Sequence, residues 1–564
     1  MRNIALIFAC ALAIRFFMFP LPYSTGPKRP WGDMEAHRNW MHVTTSVPLH
    51  AWYVDALGNR LEYWGLDYPP LFAYASWAFG ALAQRLLPVL LENENYVTLG
   101  ARAFMRGTVV ALEAVTLFPA ARLLAGALPL LPAARAAIPT LALLMHPALL
   151  LIDHAHFQYN GAAIGAALAS AALAFSRPLV AALLFTLALN LKHTTLYYAP
   201  AFLVALAAVA WRGGLPGVLG GGTAAPQPPL LSRAAGVAAL GAVVAATVAL
   251  LWAPFCATTP AQEGGCWGGL AAVARRLVPL GRGVWEDYVS NLWCALEPLV
   301  QARARMRKGQ LDERALAAFA VAASAGALGL ALPSLALLWA RVASGGDAKG
   351  APSRLQHLLL ALHAVSLAFF LASFQVHEKA ILLPALPLAL LAPQLPAAAA
   401  AFAAAATWSM WPLLARDGLV WPALVLAGAY VVALPAAAGG GEEAAALSVA
   451  LRVLGVPVGE AAALRLLRGA AALGAFLAAA VSAGRMLHPM DPSSLPHLWE
   501  FLSAALAAAA FLCFLALAAA IQLAWTARAL AGADAVTRNA TAGAGGEEKV
   551  RGASSRSQSK KKKA

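Results

Sequence analysis

The chain has 564 residues, 61% of them hydrophobic and only 12% charged, about half the charged share of roughly 25% found in soluble domains. That balance excludes a soluble globular enzyme, and the lack of alternating segments of about 10 residues excludes a closed strand barrel. The net charge of +15 is scattered over short loops and the tail, with no basic strip interleaved with aromatics, so it reads as cytoplasmic loop charge and not as a nucleic-acid surface.

In chain order, Asn3–Pro20 is the first apolar run. It carries Arg15 and lacks a small-residue cleavage site, so it reads as a retained span. A polar, aromatic-rich loop of about Leu21–Pro70 follows. It holds Trp31-Gly-Asp-Met-Glu-Ala-His-Arg-Asn-Trp40 and Tyr63-Trp-Gly-Leu-Asp-Tyr-Pro-Pro70. Ionisable groups packed at a bilayer edge are costly and point to function. The stretch Met34–Thr45 is predicted helical, which puts Asp33 and His37 on one face and Glu35 and Arg38 on another. Asp33 fits a helix N-cap as well as a chemical role, and Glu35 with Arg38 fits a local ion pair. Asp67 fits either a substrate contact or a tie for the turn whose paired prolines open the next span.

Apolar runs continue through Leu71–Leu91, Phe104–Leu124 and Ala136–Ile152. His154-Ala-His-Phe-Gln-Tyr-Asn160 follows, and its two histidines point apart on a helix with no obvious third metal ligand. Hydrogen bonding to a polyhydroxylated ligand or helix capping suits it better. Gly161–Ser176 and Leu179–Leu191 are short enough to be re-entrant. Lys192 sits between two short runs, where it either snorkels to the interface or meets an anionic headgroup. Thr194–Ala210 is the next span, and Arg212–Ser232 is a glycine- and proline-rich linker.

The uncharged run Ala234–Gln262 leads into a second polar loop, about Cys256–Arg314. Here Arg282 lies between two glycines that let backbone approach a ligand, and arginine is suited to phosphate. Of the five cysteines, Cys256, Cys266 and Cys294 lie in or beside this loop, which permits a lumenal disulfide or free thiols. Ala315–Ala340 and Leu355–Leu371 are further spans. Ser373-Phe-Gln-Val-His-Glu-Lys379 then sets three ionisable groups at membrane depth, as a functional cluster or as a helix break reaching water. Ala380–Ala415 is long enough for two spans broken at its prolines, and Gly418–Leu434, Ala470–Ala483 and Phe501–Ala527 complete the set. Gly439–Gly459 reads as a linker.

The expected fold is an all-α polytopic membrane protein of roughly 12 to 14 spans. Two long lumenal loops, about 21–70 and 256–314, would carry short amphipathic helices. Residues 1–300 form the expected catalytic module, 315–530 the C-terminal helices, and 531–564 a disordered basic cytosolic tail. Lys561 and Lys562 suit a dilysine retrieval signal or a plain basic end.

Taken together, Gly32–Trp40, Tyr63–Pro70, His156–Asn160, Arg276–Gly283 and Ser373–Lys379 resemble, in order, the motifs of the endoplasmic reticulum glucosyltransferases of the dolichol pathway. These form glycosyltransferase family 57 of the GT-C superfamily. The resemblance implies dolichyl-phosphate glucose as donor and Man9GlcNAc2-PP-dolichol as acceptor, at the lumenal face of the endoplasmic reticulum membrane. It implies inverting α-1,3 transfer without a metal or other cofactor. Asp33 would be the base. Glu35, Arg38, Trp64, Asp67, Tyr68, His156, Gln158 and Tyr159 would contact substrate. His377, with Arg282 and Lys379 behind it, would hold the donor phosphate. The family has a first-glucose and a second-glucose activity, and the Tyr63-Trp-Gly approach looks more like the first. His37 and the Lys192-His193-Thr-Thr-Leu196 patch depart from the family pattern. A lipid transporter is the competing class, but no motif occurs twice as an internal repeat would require.

Overall fold

The computed structural model describes residues 2–22, 32–96, 98–128, 137–220, 228–277, 289–300, 313–345, 352–438, 441–487 and 498–560. Its regular structure is helical, and the one strand-type contact among these residues is an isolated bridge between Ala56 and Asn59. A helix satisfies its backbone groups within one segment, which is what a chain this apolar needs in lipid. Nine helices among the described residues are long and apolar enough to cross a membrane.

Three shorter apolar helices, Ile4–Phe17, Asn160–Leu173 and Pro178–Leu191, join them. The last two have 14 residues each, or about 21 Å at 1.5 Å per residue, short of a ~30 Å hydrocarbon core. Asn160–Leu173 is built of small residues and lies inside the bundle. A Cβ at Gly165 would stand 2.6 Å from the Leu117 backbone, so glycine is what lets this helix approach its neighbour. The bundle has a clear inside and outside. In Arg354–Ala372, 94% of the most apolar window is buried, against 17% in Leu230–Thr258. The first is the centre, and the second offers its side chains to lipid.

Several expectations need correction. Ala380–Ala415 does not form two long spans. It breaks into Leu382–Leu390, Pro396–Ser409 and Trp411–Arg416, because proline removes a helix donor and restarts a helix best at its first turn. Gly439–Gly459 is not a featureless linker. It carries the helix Glu443–Val453, and Glu443 Oε1 accepts from the Ala397 and Ala398 amides at 2.8 and 3.3 Å. That carboxylate caps the start of Pro396–Ser409 from outside. The last helix runs Leu498–Lys560. No proline interrupts it, and an alanine-rich helix propagates easily once nucleated.

A second, smaller core lies in the first polar loop. Met34, Trp40, Tyr53, Tyr68, Phe72, Phe157 and Phe255 pack together there. The helix Asp33–Ser46 is seated in this aromatic cluster, against Pro70–Leu86. A Cβ at Gly80 would fall 2.6 Å from the Met41 carbonyl, so the close approach of the two helices depends on that glycine.

Candidate active site

Asp33 is the first residue of its helix, and Gly32 with extended backbone is the N-cap. The aspartate side chain is therefore not spent on capping, although its carboxylate gains from the helix dipole. Asp33 Oδ2 accepts from His156 Nε2 at 2.7 Å and from the Lys379 ammonium. Among the described residues Oδ1 takes no hydrogen bond, and the side chain is 24% exposed. Burial pushes the Asp33 pKa up. The Lys379 charge and the His156 hydrogen bond outweigh it and hold the carboxyl well below the usual range. One oxygen is thus fixed and the other is open, on a group that stays ionised.

The partners come from distant segments, and each is delivered by a break in helix geometry. His156 lies in the π-helical turn Leu150–Phe157, which ends at Phe157 with φ of 92°. Lys379 lies in the 3-10 turn Glu378–Ile381, just after Gln375 at φ 52°. Trp64 is a third left-handed residue, at φ 51°. Its carbonyl is clamped by Trp40 Nε1 at 2.7 Å and Asn39 Nδ2 at 3.3 Å. Such backbone persists only where the surroundings over-determine it, and it concentrates at functional sites. Trp64 Nε1 is buried without a hydrogen-bond partner among the described residues.

His37, one turn beyond Asp33, is boxed by Trp40, Tyr68, Phe72, Phe157 and Tyr159 at ring distances of 4.3 to 5.5 Å. Burial lowers its pKa to about 3, so it is a neutral ring. Glu35 and Arg38 form the local pair that spacing allowed. The guanidinium meets both carboxylate oxygens at 2.7 to 2.9 Å. Tyr63 Oη and the Asn95 amide also donate to Glu35, at 2.9 and 3.1 Å. The pair is buried and ties the helix to the Tyr63 and Leu90–Asn95 segments.

Tyr68, Gln158 and Tyr159 lie under Asp33 with their polar atoms bonded inside the protein. Gln158 Oε1 accepts from Tyr68 Oη at 2.8 Å and Lys192 Nζ at 2.9 Å. Tyr159 Oη meets Thr108 Oγ1 at 2.6 Å. Lys192 does not snorkel: it is buried, stands over the Tyr68 ring and also donates to Asn160 Oδ1 at 2.7 Å. Asp67 is half-buried in the turn before the next helix, and Arg276 holds the preceding Gly65 and Leu66 carbonyls at 2.8 and 3.1 Å. His377 immediately precedes the turn that carries Lys379. Arg282 lies outside the described residues. A Cys256–Cys266 disulfide bridges the start of the second loop.

Two features escaped the sequence. Asp417 Oδ2 meets His156 Nδ1 at 2.5 Å, so the histidine is gripped on both nitrogens. Glu113, wholly buried, pairs with Arg15 at 2.6 Å and with His154 at 3.0 Å. The only signal for either was an isolated charge beside or within an apolar run.

This geometry suits proton abstraction by an ionised carboxylate at a membrane edge with cations beside it. The ALG6, ALG8 glycosyltransferase family model matches residues 11–517. A Drosophila melanogaster protein named "Probable dolichyl pyrophosphate Man9GlcNAc2 alpha-1,3-glucosyltransferase" is 35% identical over 425 residues, 74% of this chain and 81% of its own. Proteins with the same name, without "Probable", match from Gallus gallus (34% over 428 residues, 75% and 76% of the two chains) and Saccharomyces cerevisiae (32% over 433 residues, 73% and 71%). The family match and the curated relatives show that the chain belongs to the ALG6, ALG8 glycosyltransferase family.

Proposed function

We propose that the chain transfers the first glucose from dolichyl-phosphate glucose to Man9GlcNAc2-PP-dolichol in α-1,3 linkage, with inversion, at the lumenal face of the endoplasmic reticulum membrane. The observation that carries this reading is Asp33, with Oδ2 held by His156 and Lys379 and Oδ1 without a hydrogen bond among the described residues. In a single displacement the acceptor hydroxyl attacks the anomeric carbon while a base removes its proton. Asp33 Oδ1 takes that proton. The phosphate departs as an anion and needs nearby cations. His377 is the first candidate, with Arg282 and Lys379 behind it. A phosphate arriving beside Lys379 would share its charge with Asp33 and loosen the hold on the base. Trp64, Asp67 and the Tyr68–Gln158–Tyr159 floor shape the acceptor side.

The relatives' names favour the Man9GlcNAc2 acceptor over its monoglucosylated successor. The Cys256–Cys266 disulfide favours an oxidising compartment for the second loop. Metal independence belongs to the same proposal.

The test is transfer by the purified enzyme with defined lipid-linked acceptors and a chelator present. Wild type should glucosylate Man9GlcNAc2-PP-dolichol from dolichyl-phosphate glucose. Asp33→Asn should abolish transfer while remaining folded and membrane-inserted. Near-wild-type turnover by Asp33→Asn, or transfer only from a nucleotide sugar, would refute the reading.

A further inference from the structure

Asp417 caps the end of the short helix Trp411–Arg416, 261 residues along the chain from His156. Gly418 at φ 73° turns the chain away, and the Leu419 amide returns to the Leu414 carbonyl at 2.8 Å, so the backbone under Asp417 is fixed. Its side chain is 1% exposed and that of His156 is 2% exposed. Asp417 Oδ1 is buried without a hydrogen-bond partner among the described residues. The carboxylate therefore directs its binding at one group, the His156 ring.

A carboxylate oxygen and a bare ring nitrogen are both acceptors, so a short contact between them needs a proton in it. His156 makes two such contacts, at 2.5 Å to Asp417 and 2.7 Å to Asp33. Two protons are shared among three groups. Asp33, itself held by Lys379, faces the ring at Nε2, Asp417 faces it at Nδ1, and His37 and Lys192 are the next titratable groups toward Asp33.

Resting on the function proposed above, we propose that Asp417 is a positioning residue for the transfer: it holds His156 in orientation and fully protonated, so that Asp33 Oδ2 is pinned by a charged donor while Oδ1 faces the acceptor hydroxyl. The acceptor O–H bond breaks and its proton goes to Oδ1. The new bond forms between the acceptor oxygen and the anomeric carbon. The bond to the phosphate oxygen breaks, and dolichyl phosphate leaves with the electron pair. The two protons on His156 stay where they are, and Asp33 later loses its proton to water.

Asp417→Asn tests this in the full-length purified enzyme. The amide can donate to a bare Nδ1 and carries no charge, so the ring turns neutral and Asp33 is left with a neutral Nε2–H donor in place of a charged one. Turnover should fall by about 10- to 100-fold, by analogy with the loss of a carboxylate that orients a metal-ligating histidine. Both KM values should stay unchanged, and the acid limb of the pH–rate profile should move up. Asp417→Glu, which keeps the charge, should return the acid limb to its wild-type position. Wild-type turnover and an unmoved acid limb in Asp417→Asn would overturn the proposal, as would a loss that only tracks the unfolded fraction in thermal unfolding. If Asp417→Asn does not fold, Asp417→Glu decides. A reduced kcat with an unmoved acid limb supports the role, and unchanged kcat overturns it. An inactive wild type or an active Asp33→Asn would instead sink the functional reading beneath it.

Discussion

Lys379 stands at the junction of two jobs, and one variant separates them. Its ammonium pairs with the Asp33 carboxylate, and after burial it is the largest influence on that group's pKa, holding it down. In Lys379→Gln the burial that raises the pKa remains, and its main counterweight is gone. A neighbouring cation shifts a carboxylate by about 1 to 3 units, so the acid limb of kcat/KM should rise by that amount. The direction follows from the chemistry. The proposed base, Asp33, would work only when ionised, so activity should be lost as pH falls through its pKa, and a raised pKa brings that loss to higher pH. A carboxylate one unit above its pKa is still roughly 90% ionised, so base tuning alone leaves the plateau near neutral pH almost unchanged. A fall in the plateau, or a rise in KM for dolichyl-phosphate glucose, measures the second job, at the departing phosphate. The assay is initial-rate transfer across pH in detergent, with donor and acceptor varied separately. An acid limb that does not move in Lys379→Gln would refute the claim that this lysine keeps Asp33 ionised.

Two further outcomes follow from the same geometry. His377→Ala should weaken use of the donor more than use of the acceptor, and equal loss for both would count against a phosphate contact. Glu113→Gln should leave the active-site groups in place but destabilise the fold, because it strands buried Arg15. Breaking a buried pair on one side costs about 3 to 5 kcal/mol, to be read as a lowered midpoint of thermal unfolding in detergent, and an unchanged midpoint would show the pair to be dispensable.

The parts of the site were legible as single residues, and their assembly was not. Asp33 stood out because it lies in a polar loop directly after an apolar run, and Lys379 because it breaks a long uncharged stretch. Nothing local says that these two meet across 346 positions, with His156 between them. The π-turn that aims His156 has no sequence signature of its own: the sequence marks the end of a span at Ile152 and the histidines after it, not the type of turn that joins them. Asp417 hid for a different reason. It sits in the alanine-rich third, where alanine suits lipid, core and surface alike and no face can be read from periodicity. The proline breaks in Ala380–Ala415 were visible, yet whether they separate two spans or three short buried helices depends on what surrounds them.

The same facts explain why the charges tolerate their depth. Asp33, His156, Lys379 and Asp417 form one connected set of alternating sign, drawn from four segments. Each charge is desolvated, but each faces an opposite one, which is the condition under which buried ions are retained. A substrate phosphate entering this set adds one negative charge, and the adjacent cations are where it can be balanced. Removing any single member leaves the remaining charges unmatched. The site should therefore fail as a unit, and His156→Ala combined with Asp417→Asn should cost far less than the product of the two single losses. Multiplicative losses in that double variant would mean that Asp417 acts independently of the His156 ring.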